Sequence, residues 1–231
     1  MFHYPQHILT LLVFSGIISV FLSCSPPSRN GLAAEYRLNT NLNDYVKASL
    51  ARNAGEVRFV KTPFRYGMRI MPGDSTAFVE FPCPASVSGD FSVGFWVRFS
   101  SLSRDQVLLS YHPETDIEKP PVFLCGLTPP YWYVESEPGK RDTLGKFPVH
   151  TGEFYHLFWT SKGGKGVFYI NASRVGEFHS VPLSGTMVIP GAGKGGMLPT
   201  DCTVDEVCIY DKYFQAAQVD SVFQHYNDIT K

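Results

Sequence analysis

Residues 91–99, FSVGFWVRF, place Phe91, Val93, Phe95, Val97 and Phe99 at every second position. Side chains alternate across a strand, so these five share one face of a sheet, whereas a helix would scatter them. Short β-rich runs recur along the chain: AFVEF (77–81), QVLLSY (106–111), VFLCGL (122–127), YHLFWTS (155–161) and GVFYIN (166–171). Turn formers punctuate them, as in PGDS (72–75), SGD (88–90), EPGKRD (137–142) and SKGGKG (161–166). Only 215–227 reads as helix, with Val219, Val222, Phe223 and Tyr226 spaced by three and four. Many short strands without βα alternation predict an all-β, antiparallel two-sheet jelly-roll sandwich with one short C-terminal helix. Residues 32–231 show no repeat and no second linker, and are expected to form one domain.

The first 31 residues follow different rules. Residues 8–22 are an apolar run, followed by Ser23 and Cys24. The run falls short of the roughly 20 residues a membrane span needs. VFLSC, ending at Cys24, resembles the lipobox of bacterial lipoproteins. That resemblance implies a signal peptide over 1–23 and a lipidated Cys24 as the mature first residue. Residues 24–31 then hold the lipid and a short extended tether containing Pro26 and Pro27. At up to ~3.5 Å per residue, the tether keeps the domain within about 20–25 Å of the bilayer. The implied location is the bacterial cell envelope, lipid-anchored at the outer membrane or cell surface. A net charge of −1 offers no basic field, which disfavours nucleic acid as a partner.

Four further cysteines follow: Cys83, Cys125, Cys202 and Cys208. On one strand, positions 202 and 208 lie about 20 Å apart, beyond the ~7 Å a disulfide permits. Other pairings, or buried free thiols, remain open.

The order of segments resembles the laminin-G-like branch of the concanavalin A-like jelly rolls. The blocks that carry this are LAAEYRLNTNLNDYV (32–46), FRYGMRIMPGDSTAFVEFP (64–82), DFSVGFWVRFSSL (90–102), TGEFYHLFWTSKGGKGVFYINASRVGEF (151–178) and TVDEVCIYDKYFQAAQV (203–219). The resemblance implies a lectin-like module that binds glycan, a module that docks an envelope protein, or a glycoside hydrolase.

Asp205 and Glu206 stand side by side in the last block. Strict alternation would point them to opposite faces, so they could not act together on one substrate. The expected role is structural, with one acid accepting hydrogen bonds and the other facing solvent. Glu135 and Glu137 share a face roughly 6–7 Å apart and are the pair a glycosidase would use. No catalytic residue is expected otherwise. In PPYWY (129–133), Tyr131 and Tyr133 fall on one face and Trp132 on the other; aromatic faces of this kind stack on sugar rings, although large aromatics also fill cores. No cofactor is expected. A structural calcium would draw on Asp44, although Tyr45, Val46 and Lys47 follow it where small polar residues would serve better. GAGKGG (191–196) has glycine spacing without a following helix, so it is no dinucleotide motif. His156 is expected to be a structural hydrogen-bonding residue.

Overall fold

The computed structural model describes residues 29–229, apart from 48, 56, 72–76, 88, 114–120, 138, 184 and 191–199. The expected signal peptide, Cys24, residues 25–28 of the expected tether and the 191–196 glycine run lie outside the described residues. In chain order the elements are β1 (Leu32–Tyr36), β2 (Arg52–Ala54), β3 (Val57–Thr62), β4 (Arg65–Ile70), β5 (Phe78–Pro82), β6 (Phe91–Phe99), β7 (Gln106–His112), β8 (Phe123–Thr128), β9 (Tyr131–Glu137), β10 (Lys140–Lys146), β11 (Phe154–Lys162), β12 (Lys165–Ile170), β13 (Ser173–His179), β14 (Thr186–Pro190), β15 (Cys202–Tyr210) and α1 (Ala216–Ile229).

The strands form two antiparallel sheets, and the jelly-roll sandwich expected from the sequence is what the structure shows. One sheet runs β13-β12-β11-β6-β15-β4-β3, with β1 also pairing with β15. The other runs β10-β9-β8-β7-β14-β5-β2. The odd positions of β6 face the second sheet and join the main core, as the period of two requires. The even positions Ser92, Gly94 and Trp96 face outward, under α1. Gly94 is needed there, because a Cβ would stand 2.5 Å from the Phe158 ring.

Helix α1 closes a second apolar cluster on that outer face. Val219, Val222 and Tyr226 bury one stripe of the helix against Trp96, Phe158, Tyr210 and Phe214. The helix start is fixed twice. Gln218 Oε1 accepts the Gln215 N–H, half of a capping box, and the Phe214 N–H donates to Ser92 Oγ and Thr160 Oγ1. Among the described residues no helix is long and apolar enough to cross a membrane.

One expectation needs correction here. Residues 140–142 are not part of a turn: β10 begins at Lys140 and pairs with β9. Of the alternatives left open for Cys83, Cys125, Cys202 and Cys208, the structure shows free thiols, with Cys125, Cys202 and Cys208 buried. Burial pushes the Cys125 and Cys202 thiols up to about 12, which suits inert core residues.

Candidate functional site

The aromatic stretch 131–133 divides by face. Trp132 is fully buried in the main core against Phe99 and Phe168, and its Nε1 donates to the Phe147 carbonyl at 3.2 Å. It is not available to a ligand. Tyr133 is buried as well: its ring lies over Gly126, where a Cβ would come within 2.3 Å, and Arg141 covers it at 4.2 Å. Only Tyr131, 49% exposed, presents a surface.

The acid candidates on β9 are engaged locally. Glu135 Oε1 accepts the Gly139 N–H at 2.7 Å, and its other oxygen lies 3.7 Å from Arg141 Nε. Glu137 pairs with Lys140 at 3.4 Å. Both acids thus tie down the β9–β10 hairpin. Asp44 behaves similarly. Its Oδ1 accepts the N–H groups of Glu35 and Val46, and Oδ2 accepts the Ser49 hydroxyl. The carboxylate closes the 44–50 loop, and among the described residues no group of three or more His, Cys, Asp or Glu is arranged to hold a metal.

His156 departs from its expected role. It is packed as an aromatic, 5.0 Å from the Trp96 ring and 6.0 Å from Phe223, and its Nδ1 has no hydrogen-bond partner. Burial lowers its pKa to about 3, so it stays neutral.

The larger correction concerns Asp205 and Glu206. The register of β15 against β6 breaks between Asp205 and Cys208, and Glu206 adopts a left-handed φ of 47°. This is a β-bulge, which inserts a residue and resets the alternation. Val204 faces the main core before the bulge, and Val207 and Ile209 face it afterwards. Both acids therefore lie on the outer face, and both are buried; neither is the solvent-facing partner expected. Asp205 accepts the Thr62 hydroxyl at 2.5 Å and the Glu206 N–H at 2.9 Å. Glu206 contributes its side chain to a cleft.

That cleft exists because β15 changes neighbours at the bulge. Along one edge β4 pairs with Cys202–Val204, and β1 pairs with Val207–Tyr210. Between them the sheet splits. Asn39 bridges the split, its Oδ1 accepting the Tyr66 N–H at 3.1 Å. The opening is a polar cleft of about 220 Å³. Glu35, Arg37 and Arg29 line one side; Phe64 and Arg65 line another; His225 and Tyr226 of α1 close it, with Glu206 at the split. Glu35 Oε2 accepts from Arg37 at 3.1 Å and lies 3.8 Å from Arg29. Phe64 is a partial floor, 4.8 Å from Trp96 and edge-on to Tyr226.

The electrostatics follow from burial. Desolvation raises Glu206 to about 8, with the neighbouring Asp205 and Glu35 charges adding to it against Arg37 and Arg65. Desolvation likewise raises Asp205 to about 7, against the Thr62 hydrogen bond. Burial thus favours the neutral acid form of Glu206, which can donate as well as accept.

The family model described as the concanavalin A-like lectin/glucanases superfamily, of laminin-G type, matches residues 73–220, more than half of the chain. The chain belongs to this superfamily. Solved structures agree on the concanavalin A-like fold at low identity. Domain 4 of AbnA, an extracellular GH43 arabinanase from Geobacillus stearothermophilus, in complex with arabinotriose, is 18% identical with a TM-score of 0.65; the match covers 84% of this chain and 98% of that domain. Trypanosoma rangeli sialidase, in complex with 2,3-difluorosialic acid, is 15% identical with a TM-score of 0.67, over 87% of this chain and 33% of the sialidase. The binding domain of botulinum neurotoxin DC in complex with SialylT is 13% identical with a TM-score of 0.63, over 86% of this chain and 52% of that one. This superfamily member thus spans a third of the sialidase and about half of the toxin domain. No curated protein matches it in sequence.

Proposed function

We propose that the domain is a lectin-like module that binds glycan in the cleft between β1, β4 and α1. The observation that carries this is the meeting of a Glu35–Arg37 pair, a Glu206 carboxyl with no hydrogen-bond partner among the described residues, and the aromatic rings of Phe64 and Tyr226 in one small cleft. Planar carboxyl and guanidinium groups match the hydroxyls of a sugar, and aromatic rings match its C–H face. At about 220 Å³ the cleft is smaller than the roughly 300–1,000 Å³ of a drug-sized site, so it suits a single ring. Domain 4 of the arabinanase, matched over 98% of its length, is in complex with arabinotriose, which supports the ligand class. We read the domain as binding rather than hydrolysing, since Glu135 and Glu137 serve the hairpin.

The test is a glycan array with the purified full-length chain. Binding is expected, to fall at least tenfold in Arg37→Gln, with some loss of Tm because Glu35 loses its ion pair, and to persist in Tyr131→Ala at nearly unchanged Tm. Loss in Tyr131→Ala alone would move the site to the outer face of β9. A blank array would remove the glycan reading and leave the protein-docking one. One feature favours that second reading: Tyr45, Val46 and Leu50 are exposed together in the loop that Asp44 closes.

The cell-envelope location belongs to the same proposal. It is supported by the VFLSC run and by the apolar stretch before it. Cys24→Ala expressed in the native host is expected to lose lipid label and leave the membrane fraction. An unchanged membrane fraction would reject the anchor.

A further inference from the structure

The charge balance of the cleft narrows the class of sugar. Three guanidinium groups, Arg29, Arg37 and Arg65, face two carboxyl groups, Glu35 and Glu206. Glu35 is already taken up by Arg37 at 3.1 Å and Arg29 at 3.8 Å. Among the described residues Arg65 makes no ion pair within 4 Å and no side-chain hydrogen bond. Glu206 is 8% exposed, and its carboxyl has no hydrogen-bond or ion-pair partner among the described residues. A buried polar group left unpaired is costly unless something else satisfies it.

The backbone around these two residues is strained. Arg65 holds φ at 115° and Glu206 at 47°; Leu38 at 53° and Thr40 at 67° flank Asn39 on the cleft wall. Side-chain-bearing residues seldom adopt such values, and strain of this kind gathers where side chains must be aimed. Here it sets an exposed arginine, whose charge reaches Glu206, and a buried acid on the same cleft.

We propose that the cleft selects sugars bearing a carboxylate, of the uronic-acid type, with Arg65 clamping the carboxylate and the Glu206 acid group hydrogen-bonded to it. The proposal rests on the glycan reading above. A guanidinium presents two parallel N–H donors that fit the two oxygens of a planar carboxylate. An incoming carboxylate would also give Arg65 the close ion pair that it lacks among the described residues. The raised pKa of Glu206 supports the same picture, because a neutral acid can donate its O–H where a carboxylate would repel. The titratable and charged groups facing Glu206 are Glu35 and Arg37 beside β1, Asp205 on β15, Arg65 on β4, and His225 and Tyr226 on α1. A neutral sugar would leave Arg65 hydrated and gain nothing from it.

The experiment compares binding of the full-length chain to polygalacturonate, alginate and hyaluronan with binding to the carboxyl-reduced form of each, by calorimetry at pH 6.5. At least one uronate is expected to bind tenfold or more tightly than its reduced form. Arg65→Gln should bring the two forms within about twofold. Arg65→Lys, a charge without the fork, should restore only part of the preference. Preference in the unaltered chain should weaken as pH rises through about 8, and Glu206→Gln, whose amide still donates, should keep the preference and lose that pH dependence. Equal binding of acidic and reduced forms would overturn the inference while leaving the glycan reading in place. A sulfated dextran binding as tightly as the uronates would overturn the carboxylate assignment. No binding to any of these, together with a blank array, would overturn both.

Discussion

Trp132→Ala is expected to remove about 3–5 kcal/mol of folding stability, seen as a lower urea midpoint at unchanged slope. The residue is fully buried between Phe99 and Phe168, with ring centroids at 6.2 and 5.6 Å. Its truncation leaves a cavity between the two sheets and strips the Phe147 carbonyl of the indole N–H. Domains are stable by only about 5–15 kcal/mol, so the loss is a large share of the total. Tyr131→Ala, one position away, should change stability by less than about 0.5 kcal/mol, because Tyr131 stands half in solvent. A small effect at Trp132 would contradict its place in the core.

Glu206→Gln is expected to act in the opposite direction above neutrality. Glu206 has its pKa raised from 4.5 to about 8 in the folded protein, and Asp205 from 3.8 to about 7, both chiefly by burial. The native state then holds protons that the unfolded chain has lost. Stability is greatest at low pH for these groups and falls as pH rises towards about 8. His156 works the other way: its pKa is lowered from 6.5 to about 3, so it destabilises only as pH falls below 6.5. The window from 6.5 to 8 therefore isolates the two acids. Each titrating group contributes about 1.4 kcal/mol per pH unit, giving a fall of roughly 2 kcal/mol across the window. Glu206→Gln removes its share, so the variant should be more stable than the parent at pH 8, with a flatter profile. Urea unfolding at pH 6.5, 7.2 and 8 measures this. A parent whose stability rises through the window would show that the acids are ionised and paired in the fold.

The central strands were legible because both of their faces are covered or one face is strictly apolar. β6, β7, β8, β11 and β12 all lie inside a sheet and carry the alternation that marks them. Of the strands that escaped notice, β14 lies inside its sheet between β7 and β5, and the others lie at sheet edges. β2, β3 and β10 have one side unpaired, and they carry Arg52, Arg58, Lys61, Lys140, Arg141 and Lys146. Charges of this kind blunt an exposed edge, and they also make a strand look like a turn. The cleft was hidden for a different reason. Its residues are scattered from Arg29 to Tyr226 and no local motif joins them. One signal did exist. In TVDEVCIY the core-facing residues Val204, Val207 and Ile209 are spaced by three and then by two, and that break in parity marks the bulge. Asp205 and Glu206 stand in the break, so the rule that placed them on opposite faces failed at the one place where the strand departs from regular alternation.

The split beside β15 also has a consequence in time. Its walls come from the segment around Arg29–Asn39, the β3–β4 hairpin and the last turns of α1, which are the earliest and nearly the latest parts of the described chain to be synthesised. Contacts of such long separation close late, after local hairpins have formed. Until α1 docks through Phe214 on Ser92 and Thr160, His225 and Tyr226 are not in place to close the cleft beside Glu206. If the cleft is the glycan site proposed above, its ligand is captured only once α1 has docked.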